Sequence, residues 1–146
     1  MAGEPRNAAS EWFGLAFESL TGVDPTDAAE LLRGALTERF VYEDRRLVAM
    51  PGGDVKDFVE HFLTYYEVGE GPPRFVIDEV VAVRGESLAL VQAGVSYESD
   101  WDLGFLLAIQ CNGDANALER AVSFGVEDRA EAVEEIDRLH AELEVD

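Results

Sequence analysis

The chain has 146 residues, with 31 acidic against 11 basic side chains and a formal charge of −20, a balance that excludes nucleic acid and anionic membrane surfaces as partners because both are bound through Lys and Arg neutralising phosphate. Hydrophobic residues still make up 47% and aromatics 10%, so the chain can bury a core as an acidic disordered chain cannot, and its length suits a single domain over 1–146. No apolar run approaches the roughly 18 residues of a membrane span, and the start, MAGEPRNAAS, lacks the basic-then-apolar pattern of a signal peptide, which leads to the expectation of a soluble, cytoplasmic protein whose acidity serves solubility.

In AASEWFGLAFESLT, residues 8 to 21, Trp12, Phe13, Ala16, Phe17 and Leu20 recur at the spacing of one buried helix face, and Gly22 stops the helix. Asp24 then Pro25 provides an N-cap oxygen and a proline whose missing N–H costs nothing in the first turn. The second helix is predicted to reach about Thr37, with Leu31, Leu32, Ala35 and Leu36 inward.

RFVYEDRRLVAM, residues 39 to 50, reads as a strand opened by Phe40, Val41 and Tyr42 and continued by Leu47, Val48 and Ala49. Glu43, Asp44, Arg45 and Arg46 interrupt it with four charges. Alternation puts Tyr42 and Asp44 on one side and Glu43 and Arg45 on the other. Pro51-Gly52-Gly53 makes a turn and Asp54 caps a third helix, with Val55, Phe58, Val59, Phe62, Leu63 and Tyr66 on one stripe. Gly69, Gly71, Pro72 and Pro73 end it.

Four strand-like runs follow, 74–84, 87–98, 102–111 and 117–125, joined by Gly85-Glu86, by Ser99-Asp100-Trp101 and by a loop containing Asn112-Gly113, and they predict an antiparallel meander. Asp128 with Glu131 fits a capping box for a last helix that buries Ala132, Val133, Ile136, Leu139 and Leu143. A two-residue turn at Gly85-Glu86 sets Glu79 opposite Gln92, sharing a face with Val81, Val83, Leu88 and Leu90, while Val80, Ala82, Val91, Ala93 and Val95 take the other. A sheet apolar on both sides needs two covers. Helices supply one, and a partner subunit is expected to supply the other, giving a homodimer through the sheet. Cys111, the only cysteine, excludes an internal disulfide and a multi-cysteine zinc site and packs as a small hydrophobe.

The order of helices, a short charged strand, another helix and a long meander resembles the nuclear transport factor 2-like superfamily, and within it the SnoaL-like proteins. LTERFVYEDRR resembles the segment in which an apolar residue ends a helix and an acid closes the strand after it. SFGVEDRAEAVEEIDRLH resembles the closing pattern of small SnoaL-like domains. The resemblance implies an α+β fold: a curled antiparallel sheet with three helices from the N-terminal half forming a cone, plus a C-terminal helix. It also implies a central pocket, and often dimerisation across the outer sheet face. Ketosteroid isomerase and polyketide cyclases belong to the superfamily, as do binding, scaffolding and regulatory domains, so fold alone does not choose a function. Tyr42-Glu43-Asp44 resembles the isomerase stretch that carries the general base, which falls on Asp44. The accompanying oxyanion hole has no counterpart: the first helix lacks Tyr, and the second acid's position resembles Leu107. The cyclases' acid resembles Asp128, which the helix cap already explains.

The function expected is a domain that binds a small apolar or mixed-polarity molecule in its cone, or serves in regulation or interaction; the alternative is a cofactor-independent isomerase, cyclase or hydratase using Asp44 as acid or base. Asp44 could instead form an ion pair with Arg45 or Arg46. His61 and Tyr65, four residues apart beside the apolar stripe, can touch, and His titrates where proton transfer is useful. Glu79 and Gln92, a polar pair inside an apolar row, need a solvated pocket or an interface edge. Trp101 is placed as a lid or a staple. Tyr42, His61, Tyr65, Glu79, Gln92 and Trp101 are the pocket-lining candidates. No metal-ligand spacing, phosphate loop or nucleophile elbow is present, so no metal or cofactor is expected, and His140 lies among charged neighbours. An open cone favours a binder or an enzyme, whereas a cone plugged by Trp12, Phe17 and Phe62 favours a structural role.

Overall fold

A computed structural model describes residues 5–46, 52–68, 73–97 and 102–144. Helix α1 spans Ala8–Glu18. Its Asn7 cap accepts from the Ser10 amide at 2.9 Å and donates to the carbonyls of Gly85 and Leu88 at 2.9 and 2.8 Å, which pins the helix to the far end of the sheet. Helix α2 covers Pro25–Gly34, capped by Asp24 on the Asp27 amide at 3.0 Å. It stops before Thr37 because Leu36 and Thr37 already belong to strand β1, Leu36–Asp44. The Leu118 amide takes the Ala35 carbonyl at 2.8 Å, and sheet pairing wins over continued helix. Helix α3, Val55–Leu63, begins at the Asp54 capping box, and a single turn, α4, follows at Tyr65–Val68.

Strands β2 (Arg74–Arg84), β3 (Leu88–Ser96), β4 (Asp102–Cys111) and β5 (Leu118–Phe124) form the meander, and β1 adds to its far edge in the order β1-β5-β4-β3-β2. The curled sheet is mixed, not wholly antiparallel as expected, because β1 runs parallel to β5 from Val41↔Arg120 to Asp44↔Ser123. Strands so far apart in sequence can take either direction, since a long crossover joins them.

The β2–β3 turn holds three residues, with Gly85 at φ +54, and pairs Arg84 with Leu88. A register shift between Val80 and Ala82 absorbs the extra residue, so Glu79 still faces Gln92. The bulge also changes sides: Val83 joins Val80 on the inner face, while Ala82 moves to the outer face with Val81.

The inner face packs against α1, α2 and α3 around Phe17, Phe40, Phe62, Phe75 and Val91. The outer face carries Leu88, Leu90, Leu106, Ala108, Val122 and Phe124, and helix α5 (Arg129–Glu144) covers it with Ala132, Ile136 and Leu139. The second cover is therefore part of the same chain, and the reason for expecting a partner on the sheet falls away. Asp128 closes a 3-10 turn, Val126–Asp128, that leads into α5. Leu143, expected inward, is 44% exposed. Buried Glu135 fastens α5 by accepting from Arg45 at 2.9 Å and from Arg138 at 3.3 Å, and the Arg45 guanidinium lies 5.4 Å from the Phe124 ring centre.

Trp101, Pro51 and the expected continuation of β1 through Leu47, Val48 and Ala49 lie outside the described residues. Tyr42 and Gly53 exchange backbone hydrogen bonds at 2.8 and 2.9 Å, which brings the start of α3 against β1. A Cβ on Gly52 would sit 2.4 Å from the Tyr42 carbonyl oxygen. Gly52→Ala should therefore cost about 1–3 kcal/mol, as overpacking does, and a thermal melt would read the loss.

Candidate functional site

Between the inner sheet face and helices α1 to α3 lies a cavity of about 420 Å³. Its walls come from the apolar stripes that define the elements: Phe17 from α1, Phe62 from α3, Phe105 and Leu107 from β4, and Leu118 from β5. The aromatic rings pack on one another and do not fill the space. Phe62 stacks on Phe75 at 5.0 Å, and Phe17 meets Phe75 at 5.4 Å and Phe62 at 6.4 Å. Trp12, Phe17 and Phe62 thus line the cone without plugging it. On the solvent side are Glu30, Asn116 and Leu31, which is 49% exposed and not inward as expected.

One end is polar. Tyr42 and Ser123, side by side on paired strands, share a hydrogen bond of 3.0 Å and are both buried. The His61 ring stacks on Tyr42 at 5.6 Å and meets Tyr65 edge-on at 5.7 Å, and neither of its nitrogens has a hydrogen-bond partner among the described residues. Burial pushes the Tyr42 hydroxyl up to about 12 against the pull of the Ser123 hydrogen bond. Burial likewise raises Tyr65, with the Arg46 guanidinium opposing. His61 is lowered by burial and then by Arg46, which together outweigh Asp44. At neutral pH all four groups are uncharged hydrogen-bonding partners.

Behind this end, the Asp44 side chain is fully buried and bound by Arg46 through Nε and the Arg46 amide to Oδ1, at 2.9 and 3.0 Å, and through Nη2 to Oδ2 at 2.7 Å. The four charges of β1 and its end sort by strand alternation. Asp44 and Arg46 pair near the cavity, while Arg45 pairs with Glu43 and with Glu135 of α5. Burial pushes the Glu135 carboxyl up, but hydrogen bonds from Arg138 and Arg45 outweigh it and hold it below the usual carboxylate range.

Of the residues singled out in the sequence, Tyr42, His61 and Tyr65 meet at the cavity. Asp44 stands behind them, joined to Arg46. Glu79 and Gln92 pair as expected but on the α5 side of the sheet, where Arg129 donates to Glu79 at 3.1 and 3.2 Å and to Gln92 at 2.9 Å. The Arg129 hydrogen bonds hold Glu79 below the usual carboxylate range. Leu107 lines the apolar wall. Ser123 escaped the sequence reading: it shares the inward side of β5 with Ala121, and only Tyr42 beside it on β1 gives its hydroxyl a role. Among the described residues no group of three or more His, Cys, Asp or Glu stands together as a metal site, and no helix is long and apolar enough to cross a membrane.

Protonating His61 costs folding free energy because its pKa is lower in the fold than in the unfolded chain. The unfolded state then binds more protons, so this contribution is lost as pH falls below about 6.5. Urea melts between neutral and mildly acidic pH should show stability falling with pH, and His61→Phe should flatten that slope.

No family model matches this chain, and no curated protein matches it by sequence. Solved structures do. A candidate SnoaL-like isomerase from Agrobacterium tumefaciens str. C58 aligns at 17% identity and a TM-score of 0.59, covering 80% of this chain and 92% of its own. A candidate SnoaL-like polyketide cyclase from Jannaschia sp. CCS1 aligns at 12% identity and a TM-score of 0.58, over 88% and 95% of the two chains. A nuclear transport factor 2-like protein from Anabaena variabilis aligns at 14% identity and a TM-score of 0.57, over 84% and 92%. The chain shares the curled-sheet, nuclear transport factor 2-like cone fold of these structures.

Proposed function

We propose that this chain binds one small, largely apolar molecule inside the cone. The observation that carries the reading is the cavity of about 420 Å³ with aromatic and aliphatic walls and a polar cluster at one end. Ligand sites share this design: an apolar enclosure of about 300–1,000 Å³ with a few polar groups that fix orientation. The neutral fluorophore N-phenyl-1-naphthylamine should brighten saturably on mixing with the protein. Leu107→Trp, which puts a larger ring in the same wall, should weaken that uptake while the far-ultraviolet spectrum stays unchanged.

The candidate isomerase and cyclase among the similar structures raise catalysis as an alternative, with Asp44 as the proton carrier. Binding is the better reading because both Asp44 oxygens already accept from Arg46, and Glu30 on the exposed face of α2 is the sole carboxylate on the cavity wall among the described residues. Regulation or interaction would then act through the occupied and empty states of the cone. With α5 on the outer face, the chain should scatter light as a monomer at micromolar concentration; a dimer mass would restore the sheet face, or its edges, as an interface.

A further inference from the structure

We infer that the cavity selects ligands whose polar group is an uncharged oxygen, an alcohol or a ketone, and rejects carboxylates of the same size, with the Tyr42–Ser123 hydroxyl pair as the anchor. This rests on the binding function proposed above and names its ligand class. Two hydroxyls that share one hydrogen bond still hold one O–H that is not used between them, along with spare oxygen lone pairs. Among the described residues neither hydroxyl makes another hydrogen bond, and both residues line the cavity. The pair can therefore donate to a ketone oxygen, and can donate to and accept from an alcohol.

A carboxylate would need a positive partner. Among the described residues the cavity wall has no Lys or Arg, and its one charged member is the acidic Glu30. Arg46, behind the polar end, reaches Tyr65, but its Nε and Nη2 are committed to Asp44, whose carboxylate already neutralises it. The other polar groups there, His61 and Tyr65, are neutral at pH 7, as is the anchor itself. A buried carboxylate without a partner loses its hydration for nothing in return, whereas a hydroxyl or ketone exchanges one hydrogen bond to water for one to the pair.

The test is competition against bound N-phenyl-1-naphthylamine by octan-1-ol, 2-octanone and octanoate, which share a chain length. It should be run at about 1 M salt, where screening within ~3 Å removes the general repulsion of anions by an acidic protein. Octanol and octanone should displace the probe at concentrations at least about tenfold below octanoate. Tyr42→Phe and Ser123→Ala should each weaken the two neutral ligands by about fivefold, the size of one hydrogen bond, and leave octanoate unchanged, which narrows the gap. Either variant alone carries the test if the other fails to fold. Octanoate binding as well as octanol would overturn the inference, and so would a gap that both variants leave intact. Failure of the wild-type protein to take up the probe at all would instead overturn the binding function on which the inference stands.

Discussion

Asp44→Asn should lower stability by about 3–5 kcal/mol, because it leaves the Arg46 guanidinium largely buried against a neutral amide, and removing one partner of a buried pair is far costlier than removing both. For a chain of this length that corresponds to a fall of roughly 10 °C in melting temperature. The Arg46 side chain is only 14% exposed and its guanidinium lies 5.8 Å from the Phe105 ring centre, so it cannot turn to water without giving up packing. Adding Arg46→Met to Asp44→Asn should recover part of the loss, since an apolar side chain there no longer needs a counter-charge. An Asp44→Asn protein that melts like wild type would mean that the carboxylate does not hold Arg46, and would return Asp44 to the pool of groups free to act on a ligand.

Ile136→Asp should be as damaging, for a different reason. Ile136 is fully buried between α5 and the outer sheet face, beside Ala132 and Leu139. The side chains packed with it on the outer face are apolar, and detaching α5 would expose Leu88, Leu90, Leu106 and Phe124 together. We expect a loss of more than about 3 kcal/mol and, by light scattering, self-association of whatever folded protein remains, because a large contiguous apolar face seeks a second cover. A monomeric Ile136→Asp protein of wild-type stability would show that α5 is not what closes the sheet.

Local pattern carried much of the fold. The stripes of Phe13 and Phe17, and of Phe58, Val59 and Phe62, located α1 and α3 because helical period and burial coincide there. The four meander strands fell within a residue or two of their observed limits. What the sequence hid was long-range or cooperative. Nothing local distinguishes Ala35-Leu36-Thr37 as the end of a helix from the start of a strand until β5 is present to pair with it, and the parallel direction of that pairing leaves no mark on β1. The bulge near Val81 is silent too: two errors, in turn length and in register, cancel at Glu79 and Gln92 but reverse the faces of Ala82 and Val83. The apolar character of both sheet faces was readable, yet which element covers the outer one was not, since the buried side of α5 suits many partners.

The candidate site was legible to the same degree. Tyr42, His61 and Tyr65 followed from their places on β1 and beside the α3 stripe. Ser123 did not, because its meaning comes from lying next to Tyr42 across strands 81 positions apart. Glu79 and Gln92 were paired correctly, but a polar pair in an apolar row fits a pocket and a helix contact equally well, and Arg129 from α5 decides it.

Methyl NMR during addition of 2-octanone tests the central claim most directly, that a ligand enters between the helices and the inner sheet face. The methyls of Leu36, Leu107 and Leu118, which line the cavity, should shift saturably together, while those of Leu90, Leu106 and Leu139, sealed between the sheet and α5, should stay in place. Shifts confined to the second set, or none in the first at saturating ligand, would contradict it.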